Sequence, residues 1–167
     1  MRRIGLISDT HGFLDERVFV HFEDCDEIWH AGDFGTREVS DQLASFKPLK
    51  GVYGNIDGND IRLVHPKDQR FEVEEMQVWM THIGGYPDRY SSEVKKNIMA
   101  TPPQLFICGH SHILRIMTDK KLNNMIYINP GAAGNEGFHK VRTIVKFDII
   151  EGKIENAKVI ELGKRGM

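Results

Sequence analysis

Along the first third of the chain, short apolar runs alternate with amphipathic stretches. "RIGLIS" (3–8) reads as a strand and "LDERVFVHFED" (14–24) as a helix. "DEIWHAG" (26–32) is a second short strand, and "TREVSDQLASF" (36–46) a second helix with Thr36 as N-cap. "LKGVYG" (49–54) makes a third strand. This β-α-β-α-β order predicts a parallel sheet with crossover helices.

The later pattern changes period. "QRFEVEEMQVWMTH" (69–82) reads as a hairpin with its tip at Glu74–Glu75. "RYSSEVKKNIMA" (89–100) reads as a helix that ends before Pro102–Pro103. "QLFIC" (104–108), "ILRIMTD", "MIYIN", "TIVKFDI" and "KIENAKVIEL" read as further strands, the last two joined at Glu151–Gly152. Together the halves predict a mixed β sandwich with helices on its outer faces.

Composition narrows the class. The 167 residues, 40% hydrophobic and 28% charged, suit one domain spanning 1–167. No apolar run approaches a membrane span, and the run in "MRRIGLISDTHG" stops at Asp9, short of a signal-peptide core. A cytoplasmic protein with no membrane partner is expected. The net charge of −2 and the lack of a long basic run disfavour a nucleic-acid surface. Cys25 and Cys108 have no C-x-x-C partner, which excludes a zinc finger and points to reduced thiols.

What ends each strand carries the chemistry. "RIGLIS" runs into Asp9-Thr10-His11, "EIWHAG" into Asp33, "KGVYG" into Asn55, "VWMT" into His82 and "LFICG" into His110-Ser111-His112. In open α/β sheets, ligands gather at the carboxyl ends of strands. In extended chain, residues i and i+2 face one side, so Asp9 and His11 can share a pocket, as can His110 and His112. Gly32, Gly54 and Gly109, just before Asp33, Asn55 and His110, permit sharp turns. Carboxylate, amide and imidazole without thiolate suit Mn, Fe or Zn, with Ni or Co also open. Seven ligands exceed one tetrahedral centre and suit two divalent ions, with manganese first in order.

The series "SDTHG", "HAGD", "GNID", "THIGG" and "GHSH" resembles the calcineurin-like metallophosphoesterase superfamily, and within it the small YfcE-type phosphodiesterases. The resemblance runs from Ile4 to about Phe147. It implies an α/β four-layer αββα sandwich of two mixed sheets, the metallo-dependent phosphatase fold. It also implies Asp9, His11 and His112 on one metal, Asn55, His82 and His110 on the other, and Asp33 bridging. Asp33, Asn55 and His82 would then be catalytic through the metal centre. "INPGAAG" (128–134) resembles the family's N-P-G-S turn, with Ala132 where serine is usual. Ile56 stands where protein-phosphatase relatives carry histidine, and Asp57 follows it.

The expected function is hydrolysis of phosphate esters, phosphodiesters foremost. Two cations would hold the phosphate and lower the pKa of a bridging water, and the resulting hydroxide would attack phosphorus in line with the leaving oxygen. The leaving-group acid is open, with Asp57 the first candidate and His65 and His139 behind it. His21 and Arg37 read as surface residues, His30 as a core or supporting residue, and "DGND" (57–60) as a turn. Phosphomonoester or nucleotide hydrolysis is an alternative. A non-catalytic scaffold is another, since the eukaryotic retromer subunit resembles this fold and has lost ligands. The expected partner is a small phosphorylated substrate, and a homo-oligomer is left open.

Overall fold

Alternating burial along the strands sorts side chains into three apolar layers, and these layers define the architecture. The computed structural model describes residues 1–166. The elements are β1 (Arg2–Ile7), α1 (Arg17–His21), β2 (Glu27–His30), α2 (Arg37–Phe46), β3 (Leu49–Gly51), α3 (Asn59–Arg62), β4 (Asp68–Val73) and β5 (Met76–Thr81). A small hairpin, β6 (Gly85–Tyr86) and β7 (Arg89–Tyr90), precedes α4 (Ser92–Ala100). Then come β8 (Leu105–Ile107), β9 (Arg115–Asp119), β10 (Met125–Asn129), β11 (Val141–Ile150) and β12 (Lys153–Lys164).

Two five-stranded mixed sheets form, in the orders β12-β11-β1-β2-β3 and β4-β5-β8-β10-β9. Ile4, Leu6, Trp29, Val145 and Phe147 of the first sheet pack with Val78, Met80, Leu105, Ile107 and Ile128 of the second. Residues one position along point the other way. Ile7, Ile28 and Ile144 meet Val18, Val39, Leu43 and Ile61 of α1, α2 and α3. Trp79, Phe106 and Tyr127 meet Val94 and Ile98 of α4. A period of two therefore gives each sheet two buried faces, and the four layers run helix, sheet, sheet, helix.

Within the first sheet β1, β2 and β3 are parallel, and within the second β5, β8 and β10 are parallel. The carboxyl ends of the strands that carry the predicted site residues therefore lie at one edge.

Both predicted tight turns are present. Glu74 and Glu75 have φ of 48° and 68°, and Glu151 and Gly152 have 48° and 74°, the left-handed pairs that two-residue hairpins need. Four expectations differ. The helix expected over 14–24 is the five-residue α1, because Asp15 is drawn into pairs with Arg17 and Arg142. The strand expected over 49–54 stops at Gly51, since the Tyr53 amide turns to the Pro66 carbonyl. The helix expected from 89 starts at Ser92, because Arg89–Tyr90 pairs with Gly85–Tyr86 instead. The segment read as a turn at 57–60 enters the short helix α3.

Candidate metal centre

The site begins with backbone that ordinary residues avoid. Asp9, His11, Asp33, His110 and His112 have φ of 53°, 47°, 60°, 71° and 62°. Such left-handed residues other than glycine cost roughly 1–2 kcal/mol each and persist where surrounding contacts hold them. Here those contacts are backbone hydrogen bonds between loops. The amides of Asp9 and His11 donate to the carbonyls of Gly32 and Asp33, and Gly134 N–H donates to the Asp9 carbonyl.

This corrects two steps of the sequence reasoning. Asp9 and His11 converge by turning, not by sharing one face of extended chain. His110 and His112 part company, each joining a different cluster. Among the three preceding glycines, the expected positive-φ turn is present at one. Only Gly32 has positive φ, 105°. At Gly109 the constraint is space, since a Cβ would lie 2.2 Å from Ser8 Oγ and 2.7 Å from Asp9 Oδ2.

Two groups of potential metal ligands result, Asp9–His11–His112 and Asp33–His82–His110, each with ligand atoms within 4.8 Å of one another. Asp33 Oδ2 connects them, 3.4 Å from His11 Nε2 and 3.1 Å from His82 Nε2. Asp9 Oδ1 lies 3.2 Å from His112 Nε2. Asn55 reaches the second group through Oδ1, 3.0 Å from His110 Nδ1. The structure thus brings all seven predicted residues to one place.

The donor set fits divalent cations. Asp9 Oδ1, His11 Nε2 and His82 Nε2 are buried and carry no hydrogen bond. Buried polar atoms are normally satisfied, and three orphans converging on one spot fit the coordination of a cation. The other atoms of these groups are tied down. Asp9 Oδ2 accepts from Ser8 Oγ (2.6 Å) and the His110 amide (3.1 Å). Asp33 Oδ1 accepts from the Ile56 amide at 3.0 Å. His82 Nδ1 faces the Ala31 carbonyl at 2.7 Å, which can only accept, so Nε2 is left with its lone pair toward the cluster.

Electrostatics agree. His11 is pushed up to about 10 by Asp33 and then Asp9. Burial opposes charge on Asp9 and Asp33, yet the imidazoles of His11, His112 and His82 outweigh it and hold both carboxyls below their ordinary range.

The acid candidates fare differently. Asp57 is corrected: it is 2% exposed, and its carboxylate already accepts from the amides of Phe34 (3.2 Å), Gly35 (2.9 Å) and Gly54 (2.8 Å). It ties the Asp33 loop to the Asn55 loop, buried and with both oxygens already engaged by backbone amides. His65 is buried, stacked on Phe34 at 4.6 Å and bonded to Ser40 Oγ at 2.8 Å, so it is not at the mouth. His30 stacks on the other face of Phe34 at 3.6 Å, and its Nδ1 accepts from the Gly32 amide, a supporting role as expected. Burial depresses it to about 3. His139 bonds the Gly134 carbonyl at 2.8 Å and packs 5.1 Å from the His112 ring. Arg37 pairs with Asp41 on its own helix at 3.0 Å.

Two contributors were not named as site residues from sequence, although the first lies in the "INPGAAG" turn singled out there. Asn129 donates to the Gly109 carbonyl and Ser111 Oγ, holding the loop that carries His110 and His112. Glu136, highly exposed, lies 3.6 Å from His11 Nδ1. The first could have been found by asking what fixes "GHSH"; nothing in the pattern marks the second.

Residues 1–152 match the family described as the calcineurin-like phosphoesterase superfamily domain. The chain belongs to this superfamily. A "Probable metallophosphoesterase" of Methanothermobacter thermautotrophicus is 31% identical over 134 residues, covering 77% of this chain and 76% of that protein. Among solved structures, a protein described as a novel archaeal phosphodiesterase superposes with a TM-score of 0.76 at 21% identity, over 96% of this chain and 99% of its own. The zinc complex of Vps29 from Entamoeba histolytica gives 0.70 at 14%, over 95% and 98%. These two likenesses establish the metallophosphoesterase fold. Membership in the superfamily makes divalent metals the expected cofactors.

Proposed function

We propose that this protein is a phosphodiesterase working with two divalent cations, manganese first among them. The observation that carries this reading is the pair of three-residue clusters joined through Asp33, with three orphaned buried atoms between them. Asp9, His11 and His112 would hold one cation, Asn55, His82 and His110 the other, and Asp33 both. When bound, the cations supply Lewis acidity, neutralising charge on phosphate oxygens and activating water at neutral pH.

The chain's own residues orient and tune. The Ala31 carbonyl fixes the His82 tautomer. The amides of Ile56 and His110 hold one oxygen each of Asp33 and Asp9, so the other oxygen faces the cluster. No protein nucleophile is required: Cys108 is buried and pushed up to about 12, first by that burial. No acid stands at the position after Asn55, where Ile56 is half exposed. The scaffold reading is disfavoured because the full set of seven side chains is present and preorganised. Metal-stripped protein reloaded singly with Mn, Fe, Zn, Ni or Co, and assayed on mono- and diesters, tests the proposal. It is supported by diester turnover that one metal restores, and overturned if no metal restores turnover or only monoesters are cleaved.

A further inference from the structure

A cavity of about 460 Å³ opens beside Asn55 and His82, bounded by the loop after β3, by β5 and by the start of α4. Four charged side chains line it: Arg62, Lys67, Asp68 and Glu93. Three are already engaged. Lys67 and Glu93 form an ion pair with each other. Asp68 accepts from Trp79 Nε1 at 3.0 Å.

Arg62 is different. Its Nε donates to the Asp57 carbonyl at 2.7 Å, and its guanidinium lies over the Tyr53 ring, 4.4 Å from the centroid. These two contacts fix the plane of the fork. Neither terminal amino group has a hydrogen-bond partner among the described residues. An immobilised guanidinium with two free donors is preorganised for bidentate contact with phosphate or carboxylate. The nine-residue helix α4 opens on the same cavity through Ser91, Ser92 and Glu93, adding the positive end of its dipole.

We infer that Arg62 selects substrates that carry a second anionic group, a phosphate on the ester substituent, in addition to the phosphodiester being cleaved. The inference rests on the phosphodiesterase reading, since Asn55 and His82 place the reacting phosphate at the rim of this cavity. A cavity of this size suits a mononucleotide-like substituent. Arg62 thus acts as a binding residue for the remote group, and its effect is read as a preference between substrates.

The test uses the full chain loaded with manganese and two chromogenic diesters with the same leaving group. One is thymidine 5′-(p-nitrophenyl phosphate); the other is the same compound bearing a 3′-phosphate. The native protein is expected to favour the second in kcat/KM by about 10- to 100-fold, the range of a charge-assisted contact. Arg62→Ala collapses this ratio toward unity, Arg62→Lys keeps part of it, and Arg37→Ala keeps all of it. Calorimetric binding of thymidine 3′,5′-bisphosphate against thymidine 5′-monophosphate gives a second readout, with the same order of variants. If neither ester is hydrolysed, the phosphodiesterase reading falls, and the binding comparison still decides on Arg62. Equal binding of the two nucleotides by the native protein, or a preference that survives Arg62→Ala, overturns the inference.

Discussion

Replacing Asp57 by asparagine should destabilise the fold, because its buried carboxylate joins the loops around the site. One carboxylate oxygen serves two amides, Phe34 and Gly54, and the other serves Gly35 at 2.9 Å. An asparagine would keep its carbonyl on the side with two donors. Its amino group then faces the Gly35 N–H, donor against donor. A hydrogen bond to a charged group contributes about 1.5–3 kcal/mol, and leaving a donor opposed adds to that loss. We expect a destabilisation of about 2–4 kcal/mol, which for a chain of this length lowers Tm by roughly 5–15 °C. Thermal unfolding in the presence of a chelator measures this without metal linkage. Because Asp57 joins the loops that carry Asp33 and Asn55, manganese affinity measured by calorimetry should also fall. An unchanged Tm and an unchanged affinity together would refute the view that Asp57 organises the site.

Other outcomes follow from the same geometry. Asp33→Asn should lose about 3 kcal/mol or more of transition-state stabilisation, seen as a fall in kcat/KM with the circular dichroism spectrum retained, because this carboxylate faces both clusters. With no acid at Ile56, aryl diesters should be cleaved much faster than alkyl ones. Ile56→His should raise the rate on alkyl diesters most, by up to roughly 10²-fold; a flat leaving-group series in the native protein would count against this. Asp148, buried and held below the ordinary carboxylate range by Arg3, contributes stability that is full above the unfolded carboxylate value and is lost as pH falls through its folded one. Acid unfolding of Asp148→Asn should therefore show a shallower loss over that range.

Strand periodicity and the residues that end each strand carried most of the fold and all seven converging side chains, because burial on two faces and polarity at one edge leave direct marks in sequence. Local competition decided the rest. The first helix shrank because Asp15 found Arg17 and Arg142, the latter distant in sequence. Asp57 looked like a free carboxylic acid because its three amide donors come partly from a loop more than 20 residues away. The left-handed backbone at Asp9, His11, Asp33, His110 and His112 is only weakly marked in sequence: Asp and His are enriched there among non-glycine residues, yet most Asp and His residues lie elsewhere. By spacing alone His110 and His112 look equivalent; the family resemblance assigns them to different metals, and that backbone carries them to different clusters.

Anomalous diffraction from crystals saturated with manganese tests the central claim most directly. Two peaks are predicted, one among Asp9, His11 and His112 and one among Asn55, His82 and His110, with Asp33 touching both. A single peak, or none, at saturating manganese would contradict the dinuclear centre.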